Sequence, residues 1–125
     1  MTPEEVVNEF IARIERADLD GACELVTDDV EYDNVPMGKV YGPDGIKSVL
    51  DQLSGTIDNV EWVVHRQCTV GNVVMNERTD RFGKDGHWID LPVAGFFELR
   101  DGRISLWRDY FDMGTLMDGI AELST

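Results

Sequence analysis

From Asn59 onward the chain reads as consecutive strands joined by tight turns, and that run constrains the fold more than any other feature. Asn59–Thr69 carries Val60, Trp62, Val63 and Val64, and Gly71-Asn72 then suits a hairpin turn. Val73–Phe82 follows, and Gly83-Lys84-Asp85-Gly86 reads as the next turn. His87–Leu99 is a third strand, Arg100-Asp101-Gly102 turns the chain, and Arg103–Phe111 is the last strand. Strands that follow one another through such short turns pair antiparallel.

The helices come mostly before this run. Thr2 can cap a helix that Pro3 opens, with Glu5 completing a capping box. Val6, Val7, Phe10, Ile11 and Ile14 recur at helical spacing, which predicts a first helix over about 3–17. Asp18-Leu19-Asp20 can start a short second helix. Thr27-Asp28-Asp29 reads as a turn and Val30–Val35 as a strand that Pro36-Met37-Gly38 ends. A third helix carries Ile46, Val49, Leu50 and Leu53 and stops at Ser54-Gly55, and Met113–Leu123 can form a closing helix. This order implies one α+β domain over residues 1–125: a curved, mostly antiparallel sheet, with N-terminal helices closing an inner pocket.

Charge excludes some partners. With 25 acids against 11 bases, the net charge of −14 repels phosphate backbones and anionic membranes. Two cysteines, Cys23 and Cys68, make no disulfide scaffold and no metal-ligand pattern, and the N-terminus lacks the basic and apolar regions of a signal peptide. No stretch approaches 18 apolar residues. The expectation is a cytoplasmic protein that binds neither nucleic acid nor membrane.

Several polar residues stand inside apolar strands. At period two, Asn76, Arg78 and Asp80 share one strand face, and Glu77, Thr79 and Arg81 share the other. On the last strand, Asp109 shares a row with Ser105, Trp107 and Phe111, while Arg108 points the opposite way with Leu106 and Tyr110. A carboxylate on a core-facing aromatic row is costly unless paired, and Arg78 is a candidate partner across the sheet. Tyr32 and Asn34 share a face of the first strand and can both hold a water. Periodicity leaves two readings open for this set, a buried network and a solvated face. His65 and His87 have no triad partner by spacing, and the chain carries no phosphate loop, no nucleophile elbow and no metal-spaced histidines.

Three segments, Tyr32-Asp33-Asn34, Glu77-Arg78-Thr79-Asp80 and above all Leu106-Trp107-Arg108-Asp109-Tyr110-Phe111-Asp112, resemble the limonene-1,2-epoxide hydrolase family. That family is a branch of the cone-shaped fold shared with nuclear transport factor 2, scytalone dehydratase and ketosteroid isomerase. The resemblance runs from the first helix to about Leu116. It implies that Asp109 is the base, that Asp80 is the acid, and that Arg78 stands between them. Tyr32 and Asn34 would hold the water that opens a small apolar epoxide to a diol, without metal, cofactor or covalent intermediate. It further implies a pocket lined by Ile11, Ile14, Leu53, Ile57, Trp62, Phe82, Leu91, Val93, Phe111 and Leu116. Trp62 and Phe82 are bulky for such positions and bear on which epoxide fits. Homodimers are implied as well, and Trp88, Leu91, Val93, Phe96 and Phe97 are all candidates for the paired face.

Two alternatives use the same fold. One is a different pocket enzyme, such as an isomerase of the ketosteroid type, a polyketide cyclase, or an enzyme that opens epoxides with an internal hydroxyl. The other is a ligand-binding module without catalysis, in which the polar set would normally be lost.

Overall fold

In the computed structural model, which describes residues 1–124, ten elements follow one another. They are α1 (Pro3–Glu15), α2 (Leu19–Cys23), β1 (Val26–Asn34), β2 (Gly38–Tyr41), α3 (Gly42–Ser54), β3 (Asn59–Val70), β4 (Val73–Lys84), β5 (His87–Arg100), β6 (Arg103–Tyr110) and α4 (Met113–Leu123). The strands form one sheet in the order β2-β1-β6-β5-β4-β3. Every neighbouring pair is antiparallel except β1 and β6, which run parallel. The expected α+β architecture is present. Among the described residues no helix is long and apolar enough to cross a membrane.

The first helix begins as its sequence requires. Thr2 Oγ1 accepts from the Glu5 amide, and Glu5 Oε1 accepts from the Thr2 amide, closing the capping box. The buried stripe Val6, Val7, Phe10, Ile11 and Ile14 lies against the sheet. Phe10 meets Trp107 edge-on at 5.1 Å, and Trp107 stacks on Tyr32 at 3.8 Å. A second apolar cluster joins Phe82, Leu91 and Val93 of the sheet to Leu116 and Leu123 of α4 and to Ile57.

Three boundaries differ from the sequence reading by more than one residue, and one element is additional. The first helix ends at Glu15 because Ala17 takes a left-handed conformation (φ 60°). Residues 27–29 belong to β1 rather than to a turn: Val26 pairs with Ile104, and a bulge follows before Glu31 pairs with Leu106. The short strand β2 was not legible, since its four residues are largely exposed and show no apolar alternation. Strand β4 continues through Gly83 and Lys84, leaving Asp85-Gly86 as a two-residue turn with positive φ at both residues.

The sheet also sorts the candidates for a paired face. Leu91, Val93 and Phe97 point inward and are buried. Trp88 is exposed and lies under the Arg81 guanidinium, while Phe96 is half-buried on the outer face against Tyr110.

Candidate active site

The polar residues of β4 and β6 meet on the inner face of the sheet. Arg78 is 1% exposed, and both carboxylates beside it are buried. Its Nε and Nη2 donate to Asp80 Oδ1 and Oδ2, both at 3.0 Å. Its Nη1 and Nη2 donate to Asp109 Oδ1 and Oδ2 at 3.2 and 2.9 Å. Nη1 donates also to Asn76 Oδ1 at 3.0 Å, so each of the five guanidinium hydrogens has an acceptor. Asn76 in turn donates to Gln67, and Gln67 to Asn8 of α1.

Strand geometry explains the meeting. Arg78 and Asp80 are two apart on β4, and Asp109 reaches the same place from β6, with β5 between them. A β5 side chain at that level would fill the space. Instead β5 has Gly95 there, paired with Asn76 on one side and Asp109 on the other. A Cβ on Gly95 would overlap Arg78 Nη1 and stand 2.8 Å from Asn76 Oδ1 and 2.9 Å from Asp109 Oδ1. The glycine lets the guanidinium cross above its neighbour's backbone.

The other members arrive from β1 and β3. Asn34 is the register partner of Asp109 across the parallel pair, and Tyr32 is that of Trp107. Trp62 of β3 stands opposite Asp80, and its ring lies 5.2 Å from the Arg78 guanidinium carbon. On the far side of the sheet, Arg108 donates to Asp33 and Glu31 at 2.9 Å each and so braces β6 against β1.

Burial and charge set the protonation states. Burial is the largest influence on Asp80 and raises it to about 6, against the pull of Arg78, with Asp109 and Glu15 pushing the same way as burial. Burial alone would lower Arg78, but Asp109 and Asp80 outweigh it and hold the guanidinium charged. Burial, reinforced by Asp109, raises the Tyr32 hydroxyl and keeps it protonated. One cation balances one anion here. The second carboxyl, in a site of low polarity, is more stable with its proton.

A cavity of about 210 Å³ opens beside these groups. Tyr32, Asn34, Asp80 and Asp109 all reach its wall, as do Leu53, Trp62, Phe82, Leu91, Val93, Phe111 and Leu116. Three expected pocket residues lie elsewhere. Ile11 packs in the main core, and Ile14 and Ile57 line a neighbouring cavity instead. The sequence reading missed Met37, Val49, Leu50, Gln52, Met113, Met117 and Ile120, which complete the wall. The helical spacing of Met113, Leu116, Met117 and Ile120 was a usable signal for α4. Gly95 was missed too, although a glycine inside a strand is itself a sign of close approach.

Comparison with known proteins agrees on the family. The family model for the limonene-1,2-epoxide hydrolase catalytic domain matches residues 1–122. Epoxide hydrolase EphG of Mycobacterium tuberculosis H37Rv is 32% identical over 114 residues, which cover 91% of this chain and 76% of EphG. The structure of an epoxide hydrolase of this type from M. tuberculosis has a TM-score of 0.80 at 31% identity, covering 94% of this chain and 88% of that one. A putative SnoaL-like polyketide cyclase from Shewanella putrefaciens reaches 0.82 at 16% identity, with 98% of each chain covered, and shares the fold.

Replacing Gly95 with alanine is expected to displace Arg78 and cost roughly 1–3 kcal/mol of stability. Urea unfolding of Gly95→Ala measures this; a midpoint equal to that of the native chain would show that the site does not need the glycine.

Proposed function

The chain belongs to the limonene-1,2-epoxide hydrolase family, and on that premise we propose that it adds water to an epoxide held beside Asp80 and Asp109, giving a vicinal diol. The observation that carries this reading is the pair of buried carboxyls on one guanidinium, one of them raised to about 6, at the wall of an otherwise apolar cavity.

Asp109 is the base in this mechanism. Its carboxylate takes a proton from a water whose oxygen attacks an epoxide carbon. Tyr32 and Asn34 hold that water, and Asn34 is next to Asp109 across β1 and β6. The C–O bond of the ring breaks, and the leaving oxygen takes the proton of Asp80. Asp80 has then given its proton to the diol and Asp109 has gained one from the water, both still on Arg78, so one proton must pass back to Asp80. Solvent entering with the next water can return it. The electron pair of the broken bond passes to the ring oxygen and the new bond is made by a lone pair of the water, so the reaction needs no oxidant or reductant.

General acid and base contributions of this kind are worth about 10²–10⁴ in rate, so Asp80→Asn and Asp109→Asn should each lose activity by that factor while still folding. A single turnover in ¹⁸O-water is expected to place the label directly in the diol; label appearing first in a protein carboxyl would sink the one-step mechanism.

The acid also predicts a pH limb. Asp80 must carry its proton to act, and its pKa lies at about 6. Hence kcat/KM should fall as pH rises through that value, about tenfold per unit beyond it. A rate still climbing well above pH 7 would assign the proton to another group.

The pairing expected for the family is proposed for the outer face of the sheet. Phe96 and Tyr110 meet there at 5.7 Å, next to exposed Pro92 and Ala94. The two unpaired thiols, half-buried Cys23 and exposed Cys68, support a reducing compartment such as the cytoplasm. Light scattering is expected to give twice the mass of one chain, and Phe96→Glu to give a single chain; a monomeric native protein would refute the pairing.

A further inference from the structure

Two cavities flank Trp62. The active-site cavity, at about 210 Å³, is smaller than the roughly 300–1,000 Å³ that ligand pockets usually occupy. The neighbouring one holds about 380 Å³ and lies between the C-terminal ends of α1 and α3. Leu50, Leu53, Trp62 and Phe82 line both, so the divide is formed by shared side chains. Leu53 is the least buried of the four. Taken together, the two spaces fall within the usual range for a bound ligand.

The second cavity has its own character. Ile14, Leu19, Ile57 and Val60 make it apolar. Glu15, Asp51 and Asp58 stand around it against Arg16, which is already paired with Glu9. Glu15 Oε2 also accepts from the Trp62 backbone amide at 2.9 Å. That bond ties the divide, on an edge strand of the sheet, to the end of α1.

We propose that the two cavities form one substrate-binding volume, with the epoxide ring beside Asp80 and Asp109 and an uncharged apolar tail beyond Trp62. The inference rests on the hydrolase reading above and names the substrate class for it. An apolar wall rewards each methylene that reaches it, by up to about fourfold in affinity. A carboxylate at the far end would meet three acids and gain much less.

The experiment compares kcat/KM for cyclohexene oxide, 1,2-epoxybutane, 1,2-epoxydecane and 9,10-epoxydecanoic acid. The decane epoxide should exceed the butane epoxide by at least about tenfold, and the terminal acid should lose most of that gain. Ser54→Trp, at the exposed end of α3 beside the second cavity, should cut the decane-to-butane ratio about tenfold. Trp62→Leu, which thins the divide, should raise it. A ratio does not depend on how much of a variant folds. Diol formation from cyclohexene oxide with a ratio near one, or a ratio that Ser54→Trp leaves unmoved, overturns the shared volume alone. An acid tail that gains as much as the neutral one overturns its uncharged character. No diol from any of the four epoxides overturns the hydrolase reading and this inference together.

Discussion

Arg78 holds two carboxyls in a place water scarcely reaches, and the rest of the site depends on that arrangement. A buried guanidinium is stable only if its hydrogens are matched and its charge is balanced. Here the hydrogens are matched by Asp80, Asp109 and Asn76. The charge is balanced by one carboxylate, so the other carboxyl keeps its proton more readily than it would in water. Removing the charged carboxylate would leave the buried guanidinium uncompensated, an imbalance of the kind that costs about 3–5 kcal/mol. The network that stabilises the inner face therefore also keeps Arg78 charged while Asp80 moves toward neutrality.

The sheet supplies the geometry. Neighbouring strands are too close for a large residue between β4 and β6, and Gly95 resolves that crowding on β5. The parallel pairing of β1 with β6 brings Asn34 beside Asp109, and Arg108 ties the same two strands from the far side. Trp107 sits between Tyr32 and Phe97, which ties the aromatic core under α1 to the strand that carries Asp109. A shift in the β1–β6 register would move Tyr32 and Asn34 away from Asp109.

Much of this was legible beforehand. The capping box, the helical stripe from Val6 to Ile14 and the shared strand face of Asn76, Arg78 and Asp80 depend on local periodicity, and the structure keeps all three. The segment from Leu106 to Asp112 carried the family, because a mixed run of aromatic and charged residues is far more specific than a single pair. What was not legible depended on contacts between distant segments. The strand β2 has no pattern of its own and exists as a partner for β1. Ile11, Ile14 and Ile57 are apolar like the residues that do line the cavity, and only the packing of separate elements sends them to the core or to the second cavity. Met113, Met117 and Ile120 reach the wall because α4 folds back onto β5.

By itself, the sequence determined the class of fold, the face on which each polar side chain lies and the family, since these follow from periodicity, turn chemistry and a rare motif. It did not decide whether Arg78 and its acids form a buried network or a solvated surface. Alternation places residues on a face but does not say what covers that face. Only the tertiary structure put α1 and the aromatic core over them, excluded water and thereby raised Asp80 toward neutrality. It alone also showed two cavities meeting at Trp62, because cavity shape is set by how separate elements pack, which no single stretch of chain encodes.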